Sequence, residues 1–135
     1  MNADRAAEPP FHAHLGFRHR HLRPGCAEVE LDVEERHTHS DGVAHGGLLA
    51  ALMDAALGHA VISSLPPEGW CATASLTISY LRRPRAGERL VARGEVTRQG
   101  KRVAFARGEA LDAEGNVVGT AEGVWYLWPD GPPAE

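Results

Sequence analysis

The stretch from His45 through Ile62, HGGLLAALMDAALGHAVI, constrains this chain more than any other. Leu48, Leu49, Ala51, Leu52, Met53, Ala55, Ala56, Leu57, Ala60 and Val61 make almost every position apolar, and the pattern predicts a helix apolar on all faces. A helix of that kind has to be covered on every side. Asp54 stands in the middle of it. A carboxylate taken out of water without partners costs roughly several kcal/mol, so Asp54 is either paired or used chemically. The run is short of the ~20 apolar residues of a membrane span and carries Asp54 and His59, so it reads as a core helix.

The flanking sequence has a different period. In CAEVELDVE, Ala27, Val29, Leu31 and Val33 fall on one side and Glu28, Glu30, Asp32 and Glu34 on the other, which predicts a strand with one wet face. Phe11 to His21 is read as a short helix followed by a strand entry, and Arg23-Pro24-Gly25 as a turn. Glu35 to Ala44 is polar and holds Ser40-Asp41-Gly42, a loop. Beyond Leu65-Pro66-Pro67-Glu68-Gly69 the pattern alternates again. Ala72, Ala74, Leu76, Ile78 and Tyr80 are expected on one face, with Thr73, Ser75, Thr77 and Ser79 on the other. After a turn at Pro84 and Gly87 come three more strands, ERLVARGEVTR, KRVAFARGEALD and NVVGTAEGVWYLW. Gln99-Gly100 and Asp112 to Asn116 connect them as hairpins.

The order is strand, buried helix, then four strands with short turns. This is an α+β chain with an antiparallel sheet. One sheet face cannot satisfy a helix apolar all round, so the sheet must curl about it, and a second copy of the chain is the simplest further cover. Residues 16–128 form the domain; residues 1–15 are expected to be loose and 129–135 disordered.

The 135 residues suffice for one domain with a real core, and a net charge of −4 gives no argument for nucleic acid as a partner. Cys26 and Cys71 lie far apart and outside any CxxC pattern, which fits a reducing compartment. MNADRAAEPPFHAHLG lacks the apolar core of a signal peptide, so a cytoplasmic location is expected.

A helix starting near Gly46 leaves its first N–H groups unpaired and partly positive. Gly46 and Gly47 have no side chains to keep a carbonyl oxygen away, so the pair is a candidate oxyanion hole. Asp54 is eight residues further on, about 12 Å along the axis at 1.5 Å per residue. A carboxylate assisting attack on a carbonyl must come within ~3–4 Å of the reacting atoms, directly or through a water. Asp54 therefore cannot serve the hole of its own helix, but could serve that of an antiparallel partner. The spacing implies a dimer with two composite sites if both residues are catalytic.

The stretch HSDGVAHGGLLAALMDAALGHA resembles the signature of the PaaI-like, phenylacetate-degradation-type acyl-CoA thioesterases, with an acidic residue nine positions after the His of HGG. SLTISYLRRPRAGERLVARGEV and GKRVAFARGEALDAEGNVVGTAEG are similar to that family's sheet. The resemblance implies a hotdog fold: a curved antiparallel sheet wrapped around one long central helix, dimerised edge to edge and often tetrameric. It also implies hydrolysis of acyl-CoA to free acid and coenzyme A. Gly46 matches the glycine whose N–H polarises the thioester carbonyl. Asp54 matches the catalytic carboxylate, a general base on water or a nucleophile. Thr73 lands where a Ser or Thr positions water or that carboxylate. His39 stands where the family often has an amide, and His45 is the motif His that shapes the loop. No metal or redox cofactor is called for, since coenzyme A is part of the substrate.

The candidate substrate contacts are Gly47 and the basic residues Arg82, Arg83, Arg85, Lys101 and Arg102, which could hold the phosphates of coenzyme A. Arg98 belongs to the same basic set, and a solvated edge explains any one of them equally well. The HxH pair His37 and His39, with His45, has no acidic or thiol ligand at a motif spacing, so no metal site is assigned there. His12, His14, His19 and His21 are read as surface histidines. Two rival functions stand beside hydrolysis. One is a non-catalytic module binding acyl-CoA or an aromatic ligand on the same fold, favoured by the missing amide at position 39. The other is a hotdog dehydratase or hydratase, disfavoured by the HGG spacing.

Overall fold

The computed structural model describes residues 8–134. A short helix α1 (Pro10–Leu15) leads into β1 (Arg18–Arg23) and β2 (Cys26–Asp32). A 3-10 turn at Glu35–His37 and a loop follow, then the long helix α2 (Gly46–Ser63). Four strands complete the chain: β3 (Trp70–Tyr80), β4 (Arg89–Gln99), β5 (Val103–Leu111) and β6 (Val117–Trp128). They form one six-stranded sheet in the order β1-β2-β4-β5-β6-β3, antiparallel throughout. The expected strand entry before Arg23 is thus a full edge strand. Of the segment 1–15 expected to be loose, residues 1–7 lie outside the described residues and Pro10–Leu15 is helical. Of the tail expected to be disordered, residues 129–131 turn back on Trp128, whose carbonyl accepts from the Gly131 N–H. Glu135 lies outside the described residues.

The sheet wraps α2 because its inner face is built of small residues where the helix passes closest. Ala92 and Gly94 on β4, and Ala104, Ala106, Gly108 and Ala110 on β5, leave room for the helix backbone. Gly94 pairs with Gly108, and a Cβ on Gly94 would lie 2.7 Å from the Ala56 carbonyl oxygen. Larger side chains close the margins of this floor. Val29 and Leu31 from β2, Leu90 from β4, and Val118 and Trp125 from β6 are fully buried against Leu52, Met53, Leu57 and Val61 of α2.

The single sheet does not cover α2 completely. Ala50, Asp54, Gly58 and Ile62, spaced at helical intervals, remain half-buried. By length and composition α2 could cross a membrane, yet its apolar residues form the centre of this core.

One face assignment and one exposure differ from the sequence pattern. The pairing of β3 with β6 steps between Thr73 and Ser75, leaving Ala74 as a bulge. A bulge inserts one residue and inverts the alternation. Cys71 and Thr73 therefore point at α2 together with Leu76, Ile78 and Tyr80, whereas strict alternation put Thr73 on the opposite face. On β2, Glu28 does lie on the outer face, but it is only 5% exposed because Arg20 and Arg93 from the flanking strands close over it, each at 2.8 Å.

Candidate active site

Asp54 projects from the uncovered side of α2 toward β3. The bulge at Ala74 aims Thr73 at it, and the Thr73 hydroxyl donates to Asp54 Oδ1 at 2.7 Å. The two residues line a cavity of about 250 Å3 whose walls include His12, His59, Trp70 and Trp125. Thr73 supplies the partner that a carboxylate on an apolar helix requires.

The other candidate group sits at the N-terminal end of the helix, eight residues before Asp54. His45 is the N-cap of α2, and its Nδ1 accepts from the Gly47 N–H at 2.8 Å. His45 is thereby fixed with an unprotonated Nδ1. The Gly47 N–H is engaged by this cap. The Gly46 N–H has no partner among the described residues, while the Gly46 carbonyl accepts from Tyr80 Oη at 2.9 Å. His39 stacks on His45 with ring centroids 4.6 Å apart, next to the same helix start. A tight turn holds His39 there, with its N–H donating to the Val43 carbonyl and its own carbonyl accepting from the Gly42 N–H. His37 takes no part: its Nδ1 accepts from the Glu34 N–H and its Nε2 contacts the Leu15 carbonyl, so both ring nitrogens serve the loop.

One end of α2 thus offers an open N–H with a histidine pair beside it. Its middle offers a carboxylate oriented by a hydroxyl. Residues 41–119 match the thioesterase superfamily. The chain belongs to that superfamily.

A variant of the phenylacetic acid degradation protein PaaI from Thermus thermophilus superposes with a TM-score of 0.80 at 34% identity, over 87% of this chain and 98% of that one. The E. coli PaaI protein from the phenylacetic acid degradation operon superposes at 0.84 with 24% identity, over 91% and 87%, a likeness of fold. Human acyl-coenzyme A thioesterase 13 is 36% identical over 84 residues, covering 61% of this chain and 58% of that protein. The sheet curled about α2 is the hotdog fold that the sequence resemblance implied.

In this thioesterase the basic residues do not gather in one patch. Arg82 is held by Glu88 at 2.6 Å and Asp112 at 3.1 Å. Arg83 pairs with Asp41 at 3.4 Å, and Arg85 donates to the Asp41 carbonyl at 2.9 Å, tying both to the loop that carries His39. Lys101 and Arg102 lie in the β4–β5 connection, at the end of the sheet where β3 begins, and line a separate cavity with Tyr126 and Trp128. The set splits between the Gly46 end of the helix and the end of the sheet where β3 begins.

The histidines read as surface residues are a second departure. His12 from α1 and His19 from β1 meet His59 from α2, with the His19 and His59 ring centroids 3.8 Å apart. Burial pushes His59 down to about 3, and the neighbouring His19, His12 and His21 add to it. Burial, then His12 and His21, push His19 down to about 4. His12 is also lowered by burial, against the opposing pull of Asp54. These rings are neutral at physiological pH. Only His59, a polar residue five positions after Asp54 in an apolar helix, carried a signal in the sequence.

Proposed function

We propose that this thioesterase hydrolyses acyl-CoA as a homodimer with two composite sites, in a cytoplasmic setting, and that two dimers assemble into a tetramer. The Gly46 N–H of one protomer stabilises the oxyanion that develops on the thioester carbonyl. Asp54 of the other protomer acts as general base on water or attacks directly, and Thr73 holds its carboxylate in place. His39 and His45 flank the carbonyl, with Arg83 and Arg85 beside them to meet the phosphates of coenzyme A.

The reading is carried by the placement of an oriented carboxylate and an open helix-start N–H about eight residues apart on one helix, too far for one chain to use both. The uncovered side of α2 holds Asp54, and β3 is an unpaired sheet edge with Trp70 and Tyr80 45% and 54% exposed. An eleven-residue edge of that kind is a template for pairing with a second copy.

Subunit mixing tests it. Gly46→Pro deletes the N–H at the first helical position, where proline is tolerated, and His45 already has the extended backbone that a following proline requires. Gly46→Pro and Asp54→Ala are each expected to be inactive in a thiol-release assay with a panel of acyl-CoAs. Mixed dimers are expected to regain activity, because one of their two sites keeps both groups. No recovery on mixing, with heterodimers demonstrated, rejects the composite site.

A further inference from the structure

Three imidazoles from three separate elements converge beside the Asp54 cavity, two of them, His12 and His59, in its wall. One potential ligand atom from each of His12, His19 and His59 lies within 4.8 Å of the others. Two contacts compete for one nitrogen. His19 Nε2 is 3.1 Å from His12 Nδ1 and 2.6 Å from Glu8 Oε1. An imidazole nitrogen carries either one in-plane proton or one in-plane lone pair. If His19 Nε2 donates to Glu8, the same single proton has to be shared with His12 Nδ1. If it accepts from His12, it faces the Glu8 carboxylate with no proton between them. Among the described residues, His19 Nδ1 and His59 Nδ1 are also buried with no hydrogen-bond partner. Orphaned buried polar atoms of this kind cost free energy and ask for a group to satisfy them.

A cation among these atoms would meet ring nitrogens and a carboxylate oxygen at once. We propose that His12, His19 and His59, with Glu8 as fourth ligand, form a site for a borderline divalent transition metal such as Zn2+. Three imidazoles and a carboxylate are a donor set suited to tetrahedral zinc. The 3.1 Å between His12 Nδ1 and His19 Nε2 already approaches the roughly 3.3 Å edge of a tetrahedron with metal–nitrogen bonds of 2.0–2.1 Å. The wider spacing to His59 is closed by rotating its ring away from the face of His19. Such a site fastens α1 onto β1 and α2, and so fixes the wall of the cavity that His12 contributes. Its role is structural, and it does not depend on the proposed hydrolysis.

The experiment uses the whole protein, stripped with a chelator and dialysed against micromolar Zn2+, with metal counted by mass spectrometry. One zinc per chain is expected in the wild type and in His14→Ala, whose ring lies outside the cluster. Loss is expected in His19→Ala and His59→Ala. Cobalt substitution gives a readout that needs no variant: the intense visible bands of tetrahedral Co2+ are expected on the wild-type protein. Absence of zinc from the wild type, zinc retained by both cluster variants, or a weak octahedral cobalt spectrum overturns the assignment.

Discussion

The hydroxyl of Thr73 donates to the carboxylate of Asp54 at 2.7 Å, across the gap between an edge strand and the central helix. The contact exists because Ala74 bulges out of the β3–β6 pairing and turns Thr73 inward. If Thr73 positions the carboxylate, Thr73→Val should lower kcat by about tenfold or more with little change in KM, since the lost hydrogen bond to a charged group corresponds to ~1.5–3 kcal/mol. Thr73→Ser should restore most of the rate. Equal rates for the valine and serine variants in a thiol-release assay would leave Thr73 with a packing role only.

His45 caps α2 through its ring, which predicts a modest and specific loss on truncation. His45→Ala leaves the Gly47 N–H without its acceptor and should cost about 1 kcal/mol of stability. His45→Asn, which keeps an acceptor at the cap, should lose less. Urea unfolding midpoints at neutral pH measure both.

The close approach of α2 to the sheet makes two glycines irreplaceable. A Cβ on Gly94 meets the Ala56 carbonyl at 2.7 Å, and one on Gly108 meets the Arg93 carbonyl oxygen at 2.2 Å. Both obstacles are backbone, which cannot rotate aside. Gly94→Ala and Gly108→Ala should each destabilise by at least about 1–3 kcal/mol, the usual penalty for overpacking. Thermal unfolding of the two variants against wild type is the measurement.

Glu28 is closed in between two arginines on the outer face of the sheet. Removing it leaves Arg20 and Arg93 facing each other with no anion between them. Glu28→Ala should cost about 2 kcal/mol, more than an ordinary surface ion pair, because its charged hydrogen bonds lie in a shielded position. Glu30→Ala, at a more exposed pair with Arg18, should cost much less. Denaturant titration of both variants distinguishes the two cases.

The Arg82 cluster sets an acid limit on stability. The hydrogen bond from Arg82 lowers Glu88, and the Arg85 N–H adds to it against the opposing effect of burial. For Asp112, burial raises the pKa, but the Asn116 N–H and side-chain amide, the Glu114 N–H and the Arg82 charge outweigh it and bring it down. Carboxyls lower in the folded than in the unfolded chain contribute stability that is complete above their unfolded pKa and lost as pH falls through the folded one. Unfolding free energy should therefore decline as pH falls below about 5, and the decline should be shallower in Asp112→Asn. An unchanged acid slope in that variant would remove Asp112 from the account.

Much of this molecule can be read from single residues. The all-apolar run with one acid, the two glycines at its start and the turn signals at Ser40-Asp41-Gly42, Gln99-Gly100 and Asp112 to Asn116 locate the helix, its reactive groups and the hairpins, because each rests on neighbours in sequence. The histidine cluster was hidden because His12, His19 and His59 are brought together by three elements that share no local pattern.

By itself the sequence determined the antiparallel sheet about a buried helix and the separation of Gly46 from Asp54 along it, since both follow from local period and from the fixed rise of a helix. Only the tertiary structure decided which way Thr73 points, that the arginines divide between two ends of the sheet, and that Glu28 is covered. A one-residue bulge reverses every side chain before it, and cross-strand partners are chosen by pairing rather than by adjacency in the chain.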